Sequence, residues 1–420
     1  MSFQALRDSV AWVKNPHRIL DHYLNQGQLS FRFHLLGMGR VFVTGEAALI
    51  ESAIRNPLLV GGRGTRALRP VVGDDAMIIQ EGHRHRAHRS LVTPYFSNAA
   101  ADRQEHIVID EAERRLRHVR IGDRFPAMDL FHDINLAIIL RVAFGELPAS
   151  RREALSALIN RYGSSFASPW TLFLKPLHIP LGKVTAWGRF TRNRSALRAA
   201  IASALQEPNP DTLAAAVSER ISSGAISQEE GIDTMLETLL FGHDTAAAAL
   251  AWWAAYLYSD NEALEQALSE VDAANVRGDA PFIRATLHES MRLSPVVVHL
   301  TRVATEQTEL GDSQINAGEH VFLCSYMAQR NPQLFEHPQA YFPERFMEKK
   351  DAPWSFGYFP FGLGARLCAG ISFAMRQMEL IAATFLSHGR FCLAQSHPLT
   401  PERKLVIMAP RQGLIMSREG

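Results

Sequence analysis

With 420 residues, 47% of them hydrophobic, the chain can bury a large core, and a formal net charge of +1 gives no global pull towards nucleic acid or an acidic partner. Its three cysteines, Cys324, Cys368 and Cys392, are far apart, odd in number and without a C-x-x-C pair; this argues against a disulfide framework or a zinc finger and for a reducing compartment. The N-terminus has no basic segment followed by an apolar core, and the longest uncharged apolar run, 245–259, is shorter than the roughly 20 residues of a membrane span. The expectation is a cytoplasmic protein with no signal peptide and no membrane anchor.

In chain order, 29–36 and 40–44 are strand-like runs separated by Gly37-Met38-Gly39, a hairpin signal, and 46–55 has a helical pattern. Residues 60–81 carry several glycines and two apolar clusters and read as an irregular loop, suited either to lining a pocket or to covering the surface. The stretch from Gly82 to Phe96 is rich in His and Arg. On a helix His85 and Arg89 lie four apart and share a face, a spacing that suits an anionic group such as a carboxylate; a solvated basic face is the other reading. No aromatic residues interleave with these charges, so nucleic acid is not an expected partner. Helical pattern fills 100–160. Residues 164–183 break it with prolines and with Phe166, Trp170 and Phe173, and further helices are predicted at 184–206 and 211–222. There is no internal repeat.

Ser227 followed by Glu230 forms a capping-box signal, and the pattern then runs to about Tyr258, apolar on most faces. This predicts a long helix through the middle of the molecule. Phe241-Gly242-His243-Asp244-Thr245 interrupts it with polar groups and a helix-weakening glycine. A buried Asp is costly unless hydrogen-bonded, and a mid-helix Thr can simply bond back to the previous turn. The combination predicts a local opening with room for water or a ligand.

Further on, Glu289 and Arg292 stand at i, i+3 in a helical segment ending near Pro295, and Phe342-Pro343-Glu344-Arg345-Phe346 follows. Val296–Leu300 is an apolar run with the character of a buried strand. Strand-like pieces near 307–310 and 319–324, with Gly311 and Gly318 between them, are expected to complete a small sheet. Then comes the densest motif, Phe361-Gly-Leu-Gly-Ala-Arg-Leu-Cys-Ala-Gly370, followed by a helical run from about Ile371 to Ser387. Its glycines allow tight turns and close approach to a large planar group, and a cysteine just before a helix is placed where amide dipoles favour thiolate. The tail around Gly413-Leu414-Ile415 suits a closing turn that dips into a pocket.

Phe seven before Cys368, Gly364 four before, Arg366 two before and Gly370 two after resembles the haem-binding loop of the cytochrome P450 family. Five segments between residues 82 and 370 match that family in order. The resemblance implies a mainly α fold with a small β lobe, forming a single catalytic domain over 1–420. It implies that Cys368 ligates the iron of haem b (iron protoporphyrin IX), in the loop marked by Phe361, Gly364, Arg366 and Gly370, and that His85, Arg89, Arg302 and Arg366 neutralise the propionates. Asp244 and Thr245 would relay protons for activation of O2 as co-substrate, with Gly242 permitting a helix distortion. Phe241 departs from the family, which usually has a small residue there, and would narrow the pocket if it points over the haem. Glu289, Arg292 and Arg345 would form a structural lock behind the cysteine loop.

By the same resemblance Val296, Val297 and His299 face the substrate, Phe166, Trp170 and Phe173 belong to a roof above it, and Leu414 reaches it from the tail. The implied reaction is hydroxylation or related oxidation of a hydrophobic small molecule, in keeping with secondary metabolism. No electron-transfer module fits in the remaining chain, so a separate ferredoxin and an NAD(P)H-dependent reductase are implied, with Arg376 as a docking candidate or a merely solvated charge. A peroxide-using or peroxide-rearranging haem-thiolate enzyme and a non-enzymatic haem sensor or carrier are the alternatives.

Overall fold

Alternating stretches near the N-terminus pair as their period of two predicts. In the computed structural model, which describes residues 3–165, 185–273, 279–347, 354–394 and 400–420, strands β1 (Ser30–Leu35) and β2 (Gly39–Thr44) form an antiparallel hairpin with Ser30 opposite Thr44. β3 (Leu59–Val60), β5 (Leu300–Ala304) and β8 (His320–Leu323) extend it to a five-stranded sheet of order β1-β2-β8-β5-β3, in which β2 and β8 run parallel. Alternate side chains serve opposite faces. Phe31, Phe33, Val43 and Phe322 pack with Trp12 and Leu20 on one side, and Phe42, Val321 and Leu323 with Ile50 and Ala53 on the other.

The pieces near 307–310 and 319–324 do not join in one sheet. β6 (Thr308–Leu310) turns through Gly311 onto β7 (Ser313–Ile315) as a separate hairpin, while β8 crosses to β2 and β5. Thr308 opposes Ile315 within that hairpin, so the partner of the first piece is the local strand that sequence reading passed over. The remaining sheets are small. β4 (Arg124–Pro126) and β9 (Phe391–Leu393) flank β12 (Ile415–Arg418), and β10 (Pro401–Lys404) pairs with β11 (Ile407–Pro410).

Helices make up the main core. The predicted helical stretch 100–160 divides into Asn98–Leu116, Ala127–Phe144 and Ala149–Ser164, and Ala186–Ala204 and Leu213–Ser222 follow near their expected positions. The segment 60–81 is less irregular than expected, since it contains β3, a short helix at Arg69–Val72 and two 3-10 turns.

The central helix, Gln228–Leu257, has 30 residues and spans roughly 45 Å at about 1.5 Å per residue. Ser227 Oγ accepts from the Glu230 N–H at 3.1 Å, and Glu230 Oε2 accepts from the Ser227 N–H at 2.8 Å, completing the predicted capping box. Both indoles near its C-terminal end are buried with partners: Trp252 Nε1–H donates to the Met408 carbonyl and Trp253 Nε1–H to Thr286 Oγ1. The helix does not open at Phe241–Thr245. The helix continues unbroken, and Gly242 serves close packing instead: a Cβ at this position would meet Ile139 Cδ1 at 2.8 Å, on helix Ala127–Phe144.

Candidate active site

The cysteine loop is shaped by left-handed glycines. Gly362 has φ +85° and Gly364 φ +63°, a region in which a Cβ is strained, and a Cβ at Gly364 would also meet Ile54 at 2.9 Å. The loop closes where the Cys368 N–H donates to the Phe361 carbonyl at 2.9 Å, and the Phe361 ring meets Trp354 edge-on. Helix Ile371–Ser387 begins three residues beyond the cysteine. Cys368 keeps an open surface. Burial nonetheless pushes its thiol upward, against the opposing pull of the Gly370 N–H and the Arg89 charge.

Basic side chains from three elements converge beside this loop. His85 and Arg89 come from helix Gly82–Val92, Arg302 from β5 and Arg366 from the loop itself. Arg89 Nη1 donates to the Leu367 carbonyl at 2.5 Å, tying the basic helix to the residue before the cysteine. A Cβ on Gly61 would meet Arg366 Nε at 3.0 Å and Arg302 Nη1 at 3.3 Å, so both guanidiniums close on the same point. Burial, then the neighbouring Arg366 and Arg89 charges, lowers His85 to about 4. Burial and Arg366 lower Arg302 to about 10. Arg302 is buried, donates only to the Thr301 carbonyl, and forms no ion pair among the described residues. The arginine charges assembled here, with Arg302 buried, suit an anion.

On the central helix, Thr238, Phe241 and Thr245 are only half-buried in a stretch that is otherwise mostly buried. Their spacing of i, i+3 and i+7 puts them on one face, which is therefore an accessible stripe inside the molecule. Thr245 Oγ1 donates to the Phe241 carbonyl at 2.9 Å, so its hydroxyl bonds back one turn. Asp244 turns towards helix Ala127–Phe144, where its Oδ1 accepts from His132 Nδ1 at 2.8 Å. Burial alone would push Asp244 up, but His243 and the hydrogen-bonded His132 outweigh it and hold the carboxyl below its ordinary value.

Behind the cysteine loop, Glu289 Oε1 and Oε2 accept from Arg292 Nη2 and Nε, both at 2.7 Å, and Oε1 also accepts from Arg345 Nε at 3.1 Å. Arg292 reaches on to the carbonyls of Gln329, Pro338 and Ala340. The three residues thus tie helix Pro281–Leu293 to the chain at 329–345.

Other expected positions are distributed differently. The His299 ring turns away into the second core, stacked on Phe322 with centroids 4.1 Å apart and packed by Trp12, beside Val298 of the same cluster. Val296 is buried in the main core, and Val297 is half-buried with its carbonyl bound by Ser325 Oγ. Leu414, with φ +59° in the tail turn, is fully buried in the main core, where its carbonyl accepts from the Ala127 N–H. Gly370 has ordinary φ and room for a Cβ, 3.7 Å from Phe96. Arg376 is held by Glu105, with Nε donating to Oε1 at 2.6 Å, so its charge is satisfied within the chain rather than offered for docking. Phe166, Trp170 and Phe173 lie outside the described residues.

Three site residues were not evident from sequence. Glu81 Oε2 pairs with Arg366 at 3.0 Å while its other oxygen takes the Gly62 and Arg63 N–H groups. Glu237, one turn before Phe241, accepts from the Met77 and Ile78 N–H groups, and Arg366 Nη1 donates to the carbonyls of the same two residues. His132 is the partner of Asp244. Glu81 sits beside the conspicuous basic run, a local signal that could have singled it out; the other two pair across more than a hundred residues of chain and leave no local trace.

The sequence pattern defining the cytochrome P450 family matches residues 9–416. A curated relative, the putative cytochrome P450 137 of Mycobacterium tuberculosis, is 28% identical over 391 residues, covering 90% of this chain and 80% of its own. The putative cytochrome P450 135B1 of Mycobacterium bovis is 27% identical, with coverages of 91% and 83%. Among solved structures, cyanobacterial CYP120A1 with retinoic acid bound superposes with a TM-score of 0.83 at 19% identity, over 98% of this chain and 95% of that one. CYP175A1 of Thermus thermophilus does so with a TM-score of 0.76 at 21% identity, over 97% and 95%. Among the described residues no helix is long and apolar enough to cross a membrane. With a pattern match over almost its whole length, a mainly helical fold shared with solved members and an open cysteine just before a helix, this chain belongs to the cytochrome P450 family, the haem-iron monooxygenases that use O2.

Proposed function

We propose that the chain is a haem b-dependent monooxygenase, one catalytic unit over 1–420, which oxidises a hydrophobic small molecule with electrons from a separate ferredoxin and NAD(P)H-dependent reductase. The observation that carries this reading is the pairing of an open Cys368 with the neighbouring His85 ring and the guanidiniums of Arg89, Arg302 and Arg366. The residues fit the group: a metal ion suits the thiol, and two carboxylates suit His85, Arg89, Arg302 and Arg366. Metal coordination overrides the upward push on the thiol, because a coordinated cysteine is deprotonated. Bound there, the haem supplies oxygen activation and C–H oxidation, and its thiolate ligand favours O–O cleavage.

The chain's own contribution is orientation and proton supply. Arg302 and His85, each lowered by the neighbouring Arg366 charge, would exchange that repulsion for an anionic partner, and Arg89 holds the loop through Leu367. Glu289, Arg292 and Arg345 keep the chain leading to Cys368 in place. Thr245 holds a transferable hydroxyl proton on the accessible stripe of the central helix, and Asp244, ionised at neutral pH, takes up a proton from solvent before passing one on to replace it. Phe241 shares that stripe and limits what fits. We place the protein in the cytoplasm, in a role in secondary metabolism.

Turnover with surrogate ferredoxin, reductase and NAD(P)H tests this. Oxygen-dependent product from a hydrophobic substrate is expected. Product formed with peroxide alone would turn the reading to the peroxide-using class, and absence of product across a broad panel to a sensor or carrier. Candidate substrates are found by the change each causes in haem absorption.

A further inference from the structure

His132, His243 and Asp244 come together beyond the accessible stripe. His132 Nδ1, His243 Nε2 and an Asp244 carboxylate oxygen all lie within 4.8 Å of one another. His132 Nδ1 is 2.8 Å from Asp244 Oδ1, and His243 Nε2 is 3.6 Å from the same oxygen. Their outer contacts matter as much. His243 Nδ1 is 2.5 Å from the Leu239 carbonyl, which must receive a proton from it. That leaves Nε2 of the neutral ring as a bare lone pair aimed at a carboxylate, with no hydrogen bond between them. His132 Nε2 faces Asn160 Oδ1 at 2.9 Å, again an acceptor. In each ring the nitrogen remote from Asp244 is thus bound to an oxygen, the arrangement that sets the tautomer of metal-ligating histidines.

We propose that His132, His243 and Asp244 form a binding site for a divalent transition metal of the zinc class, separate from the haem. Two imidazole nitrogens and a carboxylate oxygen are a donor set that zinc accepts, with a fourth position left for water. Donor atoms about 2.0 Å from a tetrahedral ion stand roughly 3.3 Å apart. The 3.6 Å pair already approaches that spacing, and the 2.8 Å pair opens by about half an ångström as the ion replaces the proton between Nδ1 and Oδ1, which leaves to solvent. His132 and Asp244 are partly exposed, giving the ion a way in, whereas His243 is buried and anchors the site. A metal held here fastens Asp244 to helix Ala127–Phe144.

Equilibrium dialysis of the haem-loaded protein against zinc, for wild type, His243→Asn and His132→Gln, tests the site. One tight zinc per chain is expected, with affinity lowered tenfold or more in each variant; equal affinity in all three, or no stoichiometric zinc, overturns the proposal. The chain has 17 histidines, so location matters as well as stoichiometry. Anomalous scattering at the zinc edge from wild-type crystals supplies it without depending on how the variants fold: a peak among the three donor atoms supports the site, and zinc found only elsewhere overturns it. Inhibition of turnover by zinc rests in addition on the relay role proposed for Asp244. Zinc that binds without inhibiting removes that role and leaves the site standing.

Discussion

Glu289 and Arg292, three residues apart on one helix, meet through two parallel hydrogen bonds of 2.7 Å, and neither side chain is exposed. On a surface helix such a pair contributes little. Here it is a buried ion pair whose remaining donors are taken up by carbonyls at 329, 338 and 340, so it joins distant chain rather than decorating a helix. Removing one partner leaves an uncompensated charge in the interior.

Glu289→Gln or Arg292→Ala is therefore expected to cost roughly 3–5 kcal/mol of stability, measured by urea denaturation. The proposed lock predicts a second effect, loss of haem from the purified variant. A variant that keeps wild-type stability and haem content would show that the network does not hold the cysteine loop.

Replacing Cys368 by Ser removes the only sulfur in the 361–370 loop. The reduced, CO-bound spectrum is expected to lose its thiolate signature while the protein remains folded. An unchanged spectrum would move the ligand elsewhere.

Thr245→Ala takes away a hydroxyl that in this structure donates to the Phe241 carbonyl. Because that bond only satisfies a helix carbonyl, little stability is at stake, and the expected effect is chemical: NAD(P)H consumption persists while product per electron pair falls several-fold. Full coupling in the variant would mean that protons arrive by another route.

Gly242 lies so close to Ile139 that any Cβ must displace it. Gly242→Val is expected to destabilise by about 1–3 kcal/mol through overpacking, and Gly242→Ala by less, since the end of the Ile139 side chain can shift. Thermal denaturation of the pair measures this; equal stability of Gly and Val forms would show that the two helices separate freely.

Glu237 is buried, and burial pushes its carboxyl from 4.5 up to about 7, although the Met77 and Ile78 N–H groups pull it down. The native state then holds this proton to higher pH than the unfolded chain does. Its contribution is fully present below about pH 4.5 and is lost as pH rises through about 7, a change on the order of 3 kcal/mol. Melting temperatures across this range are expected to fall more steeply for wild type than for Glu237→Gln. Parallel curves would place the pH dependence on other groups.

Much of this protein was determined by sequence alone, because the signals were local. The capping box at Ser227 and Glu230, the hairpin at 30–44, the helix after Cys368 and the spacing around the cysteine all depend on residues within a few positions of one another, and those positions carry helix or turn chemistry directly. The cationic side chains were also legible one by one. What only the tertiary structure decided is which distant groups meet. Gly242 read as a weak point in a helix until Ile139 came to lie against it, and His299 read as a pocket residue until Trp12 and Phe322 enclosed it. Nothing near residue 244 indicates that His132 would face Asp244, because that contact is made by two helices packing side by side and not by either helix alone. Helical spacing tells which residues share a face; only packing tells what that face meets.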